Sequence, residues 1–330
     1  MTNQLRQLRR SRVVASLAFI SVVAASCGSD SASESDTADT TAAVSTTTVT
    51  TAAVTTTAVT TAESTTTEST TAAPTGPTTD LTAGYQQAMW GDNVTVTYAD
   101  GVLRYVSDGL PNHEREAEYA VPSGGVVIPD ASTASAAPDP TKAQTYDYSI
   151  TMVPTFADSP TDASQGAIGV MISGASLFNP YEGDGTTVAT QSNFSVKNAA
   201  GEDVWFLDDC AGHPNPMGQY HYHALPKCVV ATVDTAGGPS HVIGIAFDGF
   251  PIYGDRDIDG NQLTAADLDE CNGITSPTPE FPAGVYHYVL LDVADSTSSI
   301  RCFSGVVDPS LVSMGGMGGM GGMGGPPPKP

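Results

Sequence analysis

Asn93-Val94-Thr95-Val96-Thr97-Tyr98, then Ala99-Asp100-Gly101, then Val102-Leu103-Arg104-Tyr105-Val106, is the stretch that sets the fold class. Two runs rich in β-branched and aromatic residues flank a short loop containing glycine, the pattern of a β-hairpin. Working outward, Tyr146–Val153 largely alternates apolar and polar, as a half-buried strand should. Short apolar runs follow at Ala167–Ile172, Val204–Leu207, Val242–Phe247 and Tyr286–Leu291. Only Thr264–Glu270 reads as a helix, with Thr264 as N-cap and Asp267 at its third position. The expectation is a mainly β domain, a single β-sandwich or irregular β-barrel with long loops and one short helix. It should occupy residues 83–310, enough chain for one sizeable core.

The flanks of that domain differ in kind. Arg6, Arg9, Arg10 and Arg12 form a basic start, and Val13–Ala25 is an almost wholly apolar run. That run is too short to span a bilayer, which needs ~20 residues, and fits the core of an export signal. It ends in Ala24-Ala25-Ser26-Cys27-Gly28-Ser29-Asp30, small residues up to a cysteine and then a polar turn. This resembles the lipobox of bacterial lipoproteins, so residues 1–26 are expected to be a signal peptide and Cys27 the lipidated first residue. Arg9-Arg10 is a weak pointer to twin-arginine export. Residues 27–82 are expected to be an unfolded stalk, since 41–80 contains 19 threonines and few large apolar side chains. Residues 311–330 are a Met/Gly/Pro tail in which Met314, Met317, Met320 and Met323 punctuate glycine pairs.

Charge removes other functions. The chain carries 36 Asp+Glu against 12 Lys+Arg, and loss of the four N-terminal arginines would leave 8 against 36. Such a polyanion repels phosphate backbones, which excludes nucleic acid as a partner. It also disfavours anionic membrane surfaces, so membrane attachment is expected through the lipid alone, on the outer face of the cell membrane. A monomer is expected.

Setting Cys27 aside leaves Cys210, Cys228, Cys271 and Cys302, an even number in a chain expected to be exported. Order suggests pairing 210 with 228 and 271 with 302, because each pair brackets a similar block. One holds Tyr220-His221-Tyr222-His223 and the other Tyr286-His287-Tyr288-Val289, with Cys210-Ala211-Gly212 matching Cys271-Asn272-Gly273. The likeness is either an internal repeat or a chance similarity of two disulfide-closed strands.

His213, His221 and His223 fall within eleven residues. On a strand, His221 and His223 share a face with Cα atoms ~6.5 Å apart, while Tyr220 and Tyr222 turn to the other face to pack. His213 precedes Pro214-Asn215-Pro216-Met217-Gly218, a tight segment that can fold it back beside them. Three imidazoles suit catalytic zinc or copper, with Asp208 and Asp209 as candidate acceptors for a ring N–H. A structural zinc site from Cys210, His213, His223 and Cys228 competes with the disulfide, and purely structural histidines compete with any metal. Asp255, Asp257 and Asp259 resemble the start of a calcium loop, although Ala266 stands where its closing glutamate belongs. The tail methionines would suit Cu(I).

Asp209-Cys210-Ala211-Gly212-His213-Pro214 with Tyr220-His221-Tyr222-His223 resembles the signature of the YHYH protein family, mostly exported bacterial proteins. Gly109-Leu110-Pro111-Asn112-His113, Ile168-Gly169-Val170 with Leu177-Phe178-Asn179, and Phe247-Asp248-Gly249-Phe250-Pro251-Ile252-Tyr253-Gly254 are similar to further blocks of it. So is Leu268-Asp269-Glu270-Cys271-Asn272-Gly273. Ser173-Gly174 departs from the family's usual asparagine. The resemblance carries no reaction, but it implies His113 and Asp248 as further members of the site. Three functions follow: a surface lipoprotein binding copper or zinc, a metal-dependent extracellular enzyme, or a non-catalytic module for glycan or protein. No nucleophile elbow, phosphate loop or paired-carboxylate motif names a substrate.

Overall fold

The computed structural model describes residues 79–122, 130–163, 165–190 and 194–315. The expected export signal, Cys27, the expected stalk up to residue 78 and the expected tail from residue 316 lie outside the described residues. Among the described residues, no helix is long and apolar enough to cross a membrane.

The first part of the chain forms α1 (Thr82–Tyr85), β1 (Val94–Ala99), β2 (Val102–Ser107), β3 (Glu118–Pro122), β4 (Ala134–Pro138) and β5 (Tyr146–Thr151). The middle forms β6 (Phe156–Asp162), β7 (Ala167–Met171), β8 (Ser176–Phe178), β9 (Ser195–Lys197), β10 (Asp203–Trp205), β11 (Gly212–Pro214) and β12 (Tyr220–Tyr222). The remainder forms α2 (Lys227–Val233), β13 (Val242–Ala246), β14 (Pro251–Tyr253), β15 (Gly273–Ser276), β16 (Val285–Val289), β17 (Cys302–Gly305) and α3 (Pro309–Gly315).

The sequence-predicted hairpin is β1–β2, closed by the pair Ala99 and Val102. Asp100 and Gly101 both have positive φ, 51° and 74°, the geometry whose twist matches the strands it joins. β5 pairs with β2 and buries alternate residues, Tyr146, Tyr148 and Ile150. This three-stranded sheet packs on a larger one: Tyr105 donates its hydroxyl to the Met171 carbonyl at 2.9 Å, and the Tyr148 ring sits 5.1 Å from Phe247.

The larger sheet has eight strands in the order β11-β12-β8-β7-β13-β14-β16-β15. That order is two matching halves placed back to back. Within β7–β8, Ala167 faces Phe178 and Val170 faces Ser176; within β13–β14, Val242 faces Tyr253 and Ile245 faces Pro251, with an irregularity at the same place in each. β12 runs parallel to β8 as β16 runs parallel to β14. Gly212 pairs with Tyr222 and His213 with His221, as Gly273 pairs with Tyr288 and Ile274 with His287. The likeness of the two cysteine blocks is therefore a structural repeat, extending to the hairpins before them.

Matching devices hold each half. Asp208 accepts the amides of Cys210 and Gly212 on one oxygen and the Tyr220 hydroxyl on the other. Asp269 does the same for Cys271, Gly273 and Tyr286. Ala211 and Asn272, at equivalent positions inside these turns, both adopt positive φ, 58° and 71°. The disulfides are Cys210–Cys228 and Cys271–Cys302, as the bracketing implied, with Cα separations of 5.4 and 4.7 Å. Leu81 and Leu311, which flank the expected domain, are both buried in the core.

Two expectations change. The eight-stranded sheet is open, with β11 and β15 at its edges, so the barrel alternative is ruled out. The helix expected at Thr264–Glu270 is one 3-10 turn, Ala265–Asp267; its capping box forms, but Leu268 is already extended and the chain turns into the Asp269 clasp. The described residues contain three α-helices instead of one. α2 went unread because Lys-Cys-Val-Val-Ala-Thr-Val is β-branched and disfavours helix. Its Val229 and Val233, one turn apart, are buried against the core.

The two halves meet at β7–β13, where Val170 pairs with Ile245. A Cβ at Gly169 would stand 2.7 Å from the Ile245 carbonyl oxygen, and one at Gly244 would stand 2.7 Å from that of Val170. Neither oxygen can move without breaking the ladder. Gly169→Ala and Gly244→Ala should therefore each lower unfolding free energy by roughly 1–3 kcal/mol, and by similar amounts. Urea unfolding checks this; an unchanged midpoint in both variants would contradict the close approach.

Candidate metal centre

His213 lies on β11, His221 opposite it on β12, and His223 directly after β12, where its amide bonds to the Ala211 carbonyl at 3.1 Å. Cross-strand pairing and alternation thus turn three imidazoles toward one point. One ligand atom from each residue lies within 4.8 Å of the others. The side chains are buried, at 7%, 3% and 2% exposure respectively. Phe178 stacks on His221 with centroids 3.9 Å apart, and Phe206 meets His213 at 4.3 Å. A surface groove of 540 Å³ lined by Glu118, Ser135, Val196 and Asn198 is bordered by none of the three histidines.

Backbone carbonyls fix the rings. His223 Nδ1 donates to the Asn179 carbonyl at 2.7 Å and His221 Nδ1 to that of Gln219 at 3.1 Å. A carbonyl only accepts, so in these neutral rings Nε2 carries the lone pair. His213 Nε2 and His223 Nε2 are 3.3 Å apart. Two nitrogens on a tetrahedral zinc, each at 2.0–2.1 Å, stand about 3.3 Å from one another, so the spacing suits a shared ion. Without metal, the same contact is a hydrogen bond donated by His213.

Burial pushes all three imidazoles below their ordinary range, His223 to about 4 and the others well below 6.5, with neighbouring imidazoles adding to the effect on His213 and His221. They are neutral at pH 7, the form a metal needs.

The other candidates fall elsewhere. His113 is half-buried on the opposite face of β12, its Nδ1 bonded to the Glu114 carbonyl and its Nε2 accepting the Tyr222 hydroxyl at 2.8 Å. Asp248 belongs to the second half, where it accepts the Tyr288 hydroxyl at 2.6 Å and the Gly305 amide at 2.9 Å. Neither joins the triad. The sequence blocks implied them because a motif does not reveal which face its residues take. Asp208 is occupied by tyrosines and turn amides, not by an imidazole, and Asp209 is exposed. Tyr220 and Tyr222 do turn away and are buried. The zinc site of Cys210, His213, His223 and Cys228 is excluded in this structure because its cysteines are joined. Asp255, Asp257 and Asp259 do not converge as a cation site among the described residues. Asp257 instead caps the amides of Asp259 and Asn261, and Asp255 accepts Gln262. The orienting carbonyls of Asn179 and Gln219 were missed, since backbone acceptors leave no mark in residue type.

An open sheet of two matching halves, one of them holding three convergent buried imidazoles, defines a mainly β domain with a histidine group that could hold a metal ion. The family model described as "YHYH protein" matches residues 147–261 and 256–305, and over that stretch the chain belongs to the YHYH family. His113 lies outside the matched residues. Comparison with curated proteins found no match, and neither did comparison with solved structures.

These imidazoles give the metal-free protein a pH dependence. Each binds a proton near pH ~6.5 when unfolded but not when buried, so their contribution is full above that pH. It is lost as pH falls toward 4, by roughly 2–4 kcal/mol for His223 alone. Asp248 and Glu182, pushed up to about 6 and about 8 by burial, act in the opposite sense. The measurement is therefore the difference between wild type and His223→Gln in urea unfolding at pH 7, 5.5 and 4.5. That difference should shrink with falling pH; a constant difference would count against buried neutral imidazoles.

Proposed function

We propose that this protein holds one divalent transition-metal ion at the cell surface, tethered by a lipid on Cys27. The observation that carries the reading is the set of three convergent, buried imidazoles, two with Nδ1–H tied to a carbonyl and two, His213 and His223, with Nε2 atoms facing each other. A buried set of three histidines with aromatic walls favours retention of an ion over turnover of a large substrate. Divalent copper binds such nitrogen sites more tightly than zinc at equilibrium, and supply decides which is resident. The tether rests on the Ala24-Ala25-Ser26-Cys27 pattern, and the polyanionic surface would gather cations around the site without holding them stoichiometrically.

Elemental analysis of the purified protein after dialysis against copper or zinc should give one ion per chain. His221→Ala/His223→Ala should reduce this at least tenfold while the circular dichroism spectrum is retained. Equal stoichiometric uptake by both proteins, or none by a folded wild type, would leave the histidines as structural groups. The anchor is checked by fractionation: Cys27→Ser should move the protein from the membrane to the soluble or secreted fraction, and its staying with the membrane would refute lipidation.

A further inference from the structure

The two halves of the sheet share their disulfides and carboxylate clasps, so their differences are informative. Cys271 and Cys302 are both buried, at 0% and 8% exposure, and no third metal-ligating group accompanies them among the described residues. Cys210–Cys228 is different. Cys210 is buried at 4% exposure but Cys228 is only half-buried, and His113 brings a ring nitrogen within 4.8 Å of both sulfurs. His113 comes from the Gly109–His113 loop, outside the repeated halves. In the second half, the hydroxyl of Tyr288 is held by the buried Asp248 carboxylate. In the first, the equivalent Tyr222 is shared by Ser173, at 2.9 Å, and His113. Where the second half has a carboxylate wholly inside the core, the first has the Ser173 hydroxyl and, from outside the repeat, a half-buried imidazole beside sulfur. The Nδ1–H of His113 is committed to the Glu114 carbonyl, so the lone pair is on Nε2, where it accepts the Tyr222 hydroxyl and would exchange that bond for an ion.

We propose that Cys210–Cys228 is an exchangeable disulfide, and that its reduction by a dithiol creates a second metal site. The ligands are two thiolates and the imidazole of His113, and the ion is thiophilic, of the Zn(II) or Cu(I) type. One thiolate of the dithiol attacks Cys228 Sγ, the Cys210–Cys228 bond breaks, and Cys210 leaves as a thiolate. The second dithiol sulfur then displaces Cys228, closing the reductant into its own disulfide. Two electrons pass to the protein, and the ion replaces the protons that the two sulfurs would otherwise take from solvent. Two thiolates and one imidazole form a set that suits these ions, with a fourth position left open. The site is independent of the three-histidine centre, which lies on the other face of β12 and contains no sulfur.

The test uses the whole protein under native conditions. After treatment with dithiothreitol, alkylation and peptide mapping should label Cys210 and Cys228 and leave Cys271–Cys302 intact. With the reductant removed anaerobically, cobalt(II) should give a thiolate charge-transfer band, which one equivalent of zinc abolishes; the oxidised protein should give none. The band should persist in His221→Ala/His223→Ala, so that failure of the histidine centre and failure of this site are separately visible. His113→Ala should leave alkylation unchanged but weaken cobalt binding about tenfold or more, since even outer-shell partners of a metal are worth ~10–100-fold. Release of thiols at 210 and 228 only on unfolding would overturn the proposal. So would native release without a thiolate band, or a band of undiminished affinity in His113→Ala.

Discussion

The close approach of β7 and β13 governs the rest of the structure. Gly169 and Gly244 lie so near the opposing carbonyls that neither position admits a side chain. With the pair Val170–Ile245 between them, the two strands lock in one register. A shift by one residue would turn every inward side chain outward. Because each glycine answers the other across the seam, the register of one half fixes that of its mate. The β8 and β14 strands, the parallel β12 and β16 and the edge strands β11 and β15 then follow outward in mirror order.

On this common frame the halves have diverged at a few positions. Asp208 and Asp269 make the same clasp, and His221 and His287 make the same bond from Nδ1 to a carbonyl two residues earlier. His213 and His223 have Ile274 and Val289 as counterparts, so only the first half assembles three imidazoles. Phe178, stacked on His221, is matched by Tyr253 against His287 with centroids 4.8 Å apart. The hydroxyl of Tyr253 bonds Glu280 and Thr278, and Glu280 in turn pairs with His241 at 2.8 Å. The second half thus ties the corresponding position into internal hydrogen bonds. Shared features maintain the fold, and differences mark chemistry.

Local signals were legible in the sequence. The Asp100-Gly101 turn, the strand alternation of Tyr146–Thr151, the pairing of the cysteines and the common face of His221 and His223 all follow from short-range rules. The extent of the repeat was hidden because its parts are separated unequally: Ile168 and Ile243 lie farther apart in sequence than Tyr220 and Tyr286. α2 was hidden by a β-branched composition that tertiary burial overrides. His113 and Asp248 are implied as members of the site by separate blocks of the family resemblance, and such blocks carry no information about sheet faces. Both are bonded to the hydroxyls of equivalent tyrosines, which a linear reading cannot pair.

His213 rides on β11, which among the described residues is hydrogen-bonded to a neighbouring strand along one side only. The other two donors sit deeper, on β12 and just beyond it. A closed pocket of this kind must breathe for an ion to pass, and the cheapest opening is the one that breaks fewest ladder bonds. Lifting three residues at a sheet margin removes one imidazole while two stay in place on their carbonyl supports. On the proposed metal-binding reading, the rate at which an ion comes and goes would be set by fraying of that margin, well below the free energy of unfolding the domain. On that reading, holding an ion and releasing it fall to different strands.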